Sequence, residues 1–458
     1  MRKIRNSEYG PTPKEFVRAG KKLREKVPRS SHAKWVALPN RPDPVELLTS
    51  ADHGRLRSLL PIRYQRMYQS PFSFFRGAAA LMAADLACTP STGIRVQACG
   101  DCHAANFGGF GSPERRLVFD IDDFDETLPA PWEWDVKRLA ASVVLASREI
   151  GSSERHASDA ARAATETYRM RMREYADMRA LDVWYSHLDA RLLVDQAKTL
   201  AAKKRWSNVE KKAERETAGH EFPRITDFRN GHRRIIDHPP LIYHPPEIAS
   251  IGKRVRKMFQ RYRLTLPEEK RVVLDRYQIV DVARKVVGVG SVGTRCAVAL
   301  LMAGPDDPLF LQFKEARTSV LAPYAGKSLY TNQGERVVTG QRLLQSASDV
   351  FLGWTSDDNG HYFYFRQLRD MRMKIDIEEM SKQDWLEYVE LCGWALARAH
   401  ARTGNPKRIA GYLGKSGAFD EAIANFAVVY ANQTDRDHAV FVKAVRARKL
   451  AANSGTPG

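Results

Sequence analysis

In the run CGDCHAANFG, Asp101 precedes Asn106 by five residues. A carboxylate and an amide at that spacing can serve phosphoryl transfer. The carboxylate accepts the proton of an attacking hydroxyl, and the amide oxygen is a ligand for magnesium that bridges the phosphates. The spacing alone is common, and a turn built by Asp, Asn and Gly competes with it. The next strand adds weight. LVFDIDDFDE brings Asp120, Asp122, Asp123 and Asp125 to a strand end. Clustered carboxylates repel one another unless a cation lies among them. A hard dication with oxygen ligands suits such a group, so Asn106, Asp120, Asp122 and Asp123 are the candidate metal ligands. An exposed acidic turn is the alternative; the apolar strand in front and Trp132 and Trp134 behind weigh against it. His103 is grouped with the catalytic loop and read as its buttress.

A second motif lies far downstream. GVGSVG supplies Gly288, Gly290, Ser291 and Gly293. A lone glycine motif is a weak signal, and in a dinucleotide fold it should open a helix. Here TRCAVALLMAG follows and reads as a strand. Strand, glycine turn, strand matches the loop that covers phosphates in kinases. Lys314 on the following strand is the candidate phosphate ligand, against the plain alternative of a solvated lysine. Glu335 on the next helix is its candidate acidic partner, and Glu315 should face away. Cys99, Cys102 and His103 also spell C-x-x-C-H, a haem attachment pattern. That chemistry needs export, no export signal is read in MRKIRNSEYG, and the pattern overlaps Asp101. Zinc is disfavoured because no second cysteine pair stands at ligand spacing.

These residues need elements to position them. Residues 1–60 are polar and read as an arm with short helices. SPFSFFRGAAALMAADLA reads as one buried helix, IRVQACG as a strand, DCHAANFGGFGSPERR as a loop and LVFDI as a strand. WDVKRLAASVVLASREIG reads as a helix with one buried face, Asp135 as its N-cap and Gly151 as its stop. Helix continues to about residue 218, and a loop rich in His and Pro covers 236–247. From about 270 the pattern turns to strands. Leu309, Leu311 and Phe313 alternate with Phe310, Gln312 and Lys314. A helix near 334–351, the strand HYFYFRQLRD and a helix capped by Ser381 and stopped by Gly404 complete the chain.

The 458 residues carry a net charge of +19, with 43% hydrophobic residues and five cysteines. The charge suits polyanionic partners such as nucleotides, nucleic acid or acidic membranes, but charge alone carries little specificity and a solvated basic surface is the favoured reading. The odd cysteine count argues against a disulfide framework. No run reaches the length of a membrane span, and the expected location is the cytoplasm.

Taken together, GDCHAANFG and FDIDDFDETLPAPWEWDVKRLAAS resemble the catalytic segment of aminoglycoside phosphotransferase-like and choline kinase-like enzymes. That resemblance implies an α+β, bilobal, protein-kinase-like fold that uses ATP and magnesium. It assigns Asp101 as base, Asn106 and one of Asp120, Asp122 and Asp123 as metal ligands, and Asp135 as a brace for the catalytic loop. The stretch from SPFSFFRG through GVGSVGTRC, LQFKEA and FRQLRDM is also similar to a bacterial family known as domain of unknown function 2252, over roughly residues 60–430. Kinases place the glycine loop and lysine before the catalytic aspartate; here they follow it. WALARAHARTG also resembles the helix that normally precedes the catalytic loop. A circular permutation accounts for both. The expected regions are an arm (1–60), a largely helical catalytic region (61–265), a smaller antiparallel-sheet nucleotide region (266–375) and helices that rejoin the catalytic part (376–458). The expected partners are a nucleotide and an unidentified hydroxyl-bearing acceptor. A nucleotide-binding pseudoenzyme or adenylyl-transferring enzyme is a second reading. A non-catalytic polyanion-binding protein is a third, motivated by KKRWSNVEKKAER and KRVRKMFQRYR.

Overall fold

The computed structural model describes residues 10–189, 191–193, 211, 218–229, 232–286, 288–368 and 376–450. The chain opens with α1 (Pro13–Lys26) and α2 (Pro44–Ala51), each started by a side-chain cap, Thr12 and Asp43. These residues are not a free arm. α1 lies against a late helix, and Gly20 approaches so closely that a Cβ there would stand 2.0 Å from the Arg408 carbonyl oxygen. Arg24 completes the contact by donating from Nε to the Tyr412 carbonyl at 2.8 Å.

Next come α3 (Leu60–Tyr68), α4 (Pro71–Gly77) and α5 (Ala79–Leu86). The expected single helix over SPFSFFRGAAALMAADLA is thus two helices. Buried Arg63 takes the Gly77 carbonyl at 2.7 Å, so that carbonyl is drawn out of a continuous helical ladder. β1 (Arg95–Ala98) pairs with β4 (Leu128–Pro131), and β2 (Phe107–Gly111) pairs with β3 (Leu117–Ile121), both antiparallel. β2 and β4 were not legible. Glycine and proline disfavour strands locally, and it is the pairing that makes them strands.

α6 (Trp132–Glu149) follows, then α7 (Glu154–Asp177) and α8 (Ala180–Tyr185). α6 begins at Trp132, earlier than expected, and is buried from Trp132 to Ser147 on every face. It has no single apolar stripe because α7, β1 and the last helix enclose it. Gly151 does close it, at φ +73. The helix expected to continue to about 218 is met by α7 and α8 as far as Tyr185; beyond residue 193 most of it lies outside the described residues, as does all of KKRWSNVEKKAER except Lys211.

The second half is built on a six-stranded antiparallel sheet. α9 (Ala218–Ile225) leads into the hairpin β5 (Thr226–Arg229) and β6 (His232–Ile235), and β7 (Ile242–Tyr243) stands in the His- and Pro-rich segment. α10 (Ile248–Arg263) and α11 (Glu268–Leu274) precede β8 (Gln278–Lys285), β9 (Cys296–Gly304) and β10 (Asp307–Ala316). After α12 (Ala322–Ala325) and α13 (Gln333–Leu344) come β11 (Gly353–Ser356) and β12 (Tyr362–Gln367). The sheet order is β11-β12-β10-β9-β8-β7. Both faces are covered. Leu309, Leu311 and Phe313 pack against Val255, Met258 and Tyr262 of α10. Phe310 and Val298 pack against Phe222 and Ile235 on the other side. The sheet's core therefore draws on α10, ahead of residue 266.

α14 (Lys382–Thr403), α15 (Pro406–Leu413) and α16 (Ala418–Arg446) return to the first half. Ser381 caps α14 by accepting from the Asp384 amide, and Gly404 ends it. α14 packs on α7 and α16 on α6, and the largest core runs through these helices and β1–β4. The protein is a mixed α+β fold with several small antiparallel sheets and one larger one. No helix among the described residues is long and apolar enough to cross a membrane.

Candidate functional site

The catalytic-loop candidate turns at Gly100, where φ is +87 and a Cβ would stand 2.3 Å from the Glu126 carbonyl oxygen. Only glycine fits that turn. Asp135 holds it from below: its carboxylate accepts from the Cys99 amide at 2.6 Å and the Gly100 amide at 3.0 Å. Asp135 is in the first turn of α6 and does not cap it; Pro131 occupies the cap without a side-chain bond. His400 of α14 stands 3.2 Å from the same carboxylate, and Tyr168 of α7 stands 2.9 Å from His400. Tyr388 donates to the Ala104 carbonyl at 2.6 Å. Three helices thus fix one short loop.

Asp101 presents one carboxylate oxygen, Oδ1, to Arg138 Nε at 2.6 Å. Its Oδ2 faces the cleft, 3.9 Å from His103 Nε2. His103 is buried, and burial above all holds its imidazole down at about 3, so the ring is neutral at pH 7. Asn106 donates its amide to the Asp101 carbonyl at 2.7 Å, which leaves its Oδ1 to accept or to ligate.

The aspartates of the next strand part company. Asp120 is fully buried and turned away; it takes Arg398 at 2.7 Å and the Ser346 amide and hydroxyl at 2.9 Å. It is a structural ion pair and does not line the cleft, contrary to its place among the candidate ligands. Asp122 faces Arg366 at 3.5 Å. Asp123 and Asp125 meet at Lys314, whose ammonium is 3.3 Å from Asp123 Oδ2 and in direct contact with Asp125. The cation that the acidic cluster calls for is, in the chain itself, this lysine.

Burial, together with the Asp125 charge, raises the Asp123 carboxyl. Burial works against Asp125 as well, but Lys314, Tyr364 and Ser291 outweigh it and hold Asp125 below the usual carboxylate range. Tyr364 donates to Asp125 at 2.8 Å and Ser291 at 2.9 Å. The Lys314 charge therefore falls mainly to Asp125. Glu335, the expected partner of Lys314, makes no ion pair with it; Glu335 lies in the first turn of α13, capped by Asn332. The aspartates win because they reach Lys314 from the facing strand end. Glu315 does point away, to the Arg295 amide at 2.9 Å.

The glycine segment joins β8 to β9 and is pinned from the N-terminal side. Arg63 donates to the Val289 carbonyl at 2.7 Å and Arg55 to the Val292 carbonyl at 2.7 Å. Gly290 passes so near Asp101 that a Cβ would stand 3.8 Å from its Oδ2. The cleft is lined by Asp101, His103, Asn106, Asp123, Asp125, Glu126, Gly288, Gly290 and Ser291, with Arg76 at its wall. Gly293, with φ +92, shapes the exit of the loop. Among the described residues no group of three or more His, Cys, Asp or Glu is set to hold a metal ion by itself. A dication here would need Asn106 Oδ1 and displacement of Lys314 from Asp123. Cys99 and Cys102 are both buried, with thiols pushed up, which does not suit haem attachment.

Sequence reasoning missed Arg138, Arg63, Arg55 and Tyr364. Arg138 had a signal: it lies three residues after Asp135 on one helix, so both face the loop. The others had none, because each is brought in by tertiary contact.

Fold and site define a mixed α+β protein with a polar cleft between a helical body and a six-stranded sheet. The chain belongs to the bacterial family described as uncharacterized protein conserved in bacteria (DUF2252), which matches residues 55–444 and takes in every cleft residue discussed above. No curated protein and no solved structure matches the chain.

Proposed function

We propose that the protein is an ATP- and magnesium-dependent phosphotransferase acting on a hydroxyl-bearing acceptor, with a circularly permuted kinase-like arrangement. One observation carries this reading: Lys314 lies 3.3 Å from Asp123, 191 residues away in the chain, beneath a glycine segment bonded to Asp125. A nucleotide in a kinase touches a lysine, a metal-binding aspartate and a glycine loop at once. The order along the sheet supports it further, since the glycine segment joins the first two strands of a meander and the lysine stands on the third.

In this reading the Asp101 Oδ2 accepts the proton of the acceptor hydroxyl, while Arg138 holds Oδ1 and sets the direction of the free oxygen. Magnesium held by Asn106 and Asp123 would neutralise charge on the phosphates. The backbone of 288–291 covers the phosphates and Lys314 reaches them. Asp135, His400 and Tyr388 keep the loop rigid. The return of α14 behind the catalytic loop supports the permuted order.

Calorimetry with magnesium and ATP tests this. Binding that Lys314→Ala weakens, with phosphoryl transfer that Asp101→Asn abolishes, is the expected result. Absence of binding ends the proposal. Binding with turnover indifferent to Asp101→Asn points to adenylyl transfer instead.

A further inference from the structure

The charges that line or brace the cleft almost all have partners within the protein. Asp101 has Arg138, Asp123 and Asp125 have Lys314, and Arg55 and Arg63 share Asp52. Arg76 stands apart. It is on the last turn of α4, its guanidinium makes no hydrogen bond or ion pair among the described residues, and its Nε is buried without a partner. Its guanidinium carbon lies 5.7 Å from the Phe72 ring centroid, and Phe72 in turn meets His103 edge-on at 6.5 Å. Phe72, Arg76, His103 and Asp101 thus form one continuous wall, and the glycine segment passes over it. Burial weakens the hold of Arg76 on its proton, and the charges of Asp101, Glu149 and Glu378 act the other way, Asp101 most. A half-buried guanidinium without a partner is costly, and its planar donors suit an oxyanion.

We propose that the acceptor carries an oxyanion group, a phosphate or carboxylate, that Arg76 holds beside Asp101. This rests on the phosphotransferase reading and narrows its substrate class: the hydroxyl that faces Asp101 belongs to an anionic molecule, not to a cationic aminoglycoside or choline. The geometry favours the acceptor over the nucleotide as the source of that anion. The glycine segment packs on α4, where a Cβ on Gly290 would stand 3.3 Å from the Arg76 carbonyl oxygen, but its backbone and Lys314 already provide for the nucleotide phosphates, whereas the Arg76 guanidinium shares its wall with Asp101. Arg76 is therefore a specificity-determining residue.

The test uses the full chain and inorganic phosphate as the probe. Phosphate is titrated by calorimetry into protein saturated with magnesium and a non-hydrolysable ATP analogue, so that the nucleotide site is filled. Wild type should bind phosphate saturably. Arg76→Met should weaken that binding roughly tenfold or more and leave the affinity for the nucleotide analogue within about twofold. Arg76→Lys keeps the charge but loses the planar fork, and should fall between the two; it also serves if Arg76→Met does not fold. Two results overturn the proposal: no saturable phosphate binding to the filled wild type, or a loss of nucleotide affinity in the variants as large as the loss of phosphate affinity. If wild type binds no nucleotide analogue at all, the phosphotransferase reading fails by itself, and phosphate titrated into the free protein still reports whether Arg76 holds an anion.

Discussion

Lys314 is buried and lies between two carboxylates that would otherwise face each other. Removing one member of such a group leaves like charges uncompensated. Lys314→Met should therefore lose about 2–3 kcal/mol of stability, read from urea unfolding. Millimolar magnesium should then raise the melting temperature of the variant more than that of wild type, because a dication can replace the missing ammonium. An equal response in both proteins would count against a metal position at Asp123. At this scale the sequence was informative about residue type and less so about pairing. Asp101, Asn106, Asp123, Ser291 and Lys314 all line or reach the cleft. Asp120 does not, because the strand alternates and its side chain falls on the face that meets Arg398. Glu335 was chosen as the acidic residue of the next helix; the true partners come from the opposite side of the cleft.

Elements position these residues through a few close approaches. The turn at Gly100 combines a positive φ with the Glu126 carbonyl oxygen 2.3 Å from any Cβ. Gly100→Ala should cost about 3 kcal/mol. Gly288→Ala should stay within about 1 kcal/mol, since nothing lies within 4 Å of a Cβ there. Urea midpoints of the two variants separate backbone necessity from mere glycine content. Helices with strong caps and strands with clear alternation were legible: Ser381 caps α14, and β10 turns Leu309, Leu311 and Phe313 to one core and Phe310 to the other, although it is buried on both faces. β2 was not, because Phe107–Gly111 holds three glycines and becomes a strand only by pairing with β3. α6 was misjudged in burial for a related reason. Its charged residues Lys137 and Arg138 are inside, where periodicity reads them as a solvent face.

Across the whole molecule, acid stability depends on two buried imidazoles far apart in the chain. Burial holds both His103 and His32 down at about 3, with Lys137 adding to the effect at His32. An unfolded imidazole titrates near about 6.5. Between these values the unfolded chain binds protons that the folded chain does not, so the stability contributed by each ring grows with pH and is lost as pH falls through that window. From pH 7 to pH 5 wild type should lose on the order of 4 kcal/mol more than the double variant His32→Gln, His103→Gln, about 2 kcal/mol for each ring. Parallel losses in the two proteins, followed by urea unfolding at each pH, would contradict this. His32 also shows how the N-terminal residues belong to the body: its Nε2 stands 2.8 Å from the Tyr412 hydroxyl.

Local chemistry wrote the candidate residues, the main caps and the strand periods into the chain, because residue type, helical period and strand alternation are short-range properties. It also carried the family, through motifs contiguous in the sequence. Which carboxylates meet Lys314, which turn away, and that Arg76 reaches the Asp101 wall were settled only by tertiary packing. Those contacts join residues tens to hundreds of positions apart, and their geometry depends on how α4, α6, β3 and β10 pack around one cleft, which no local pattern encodes.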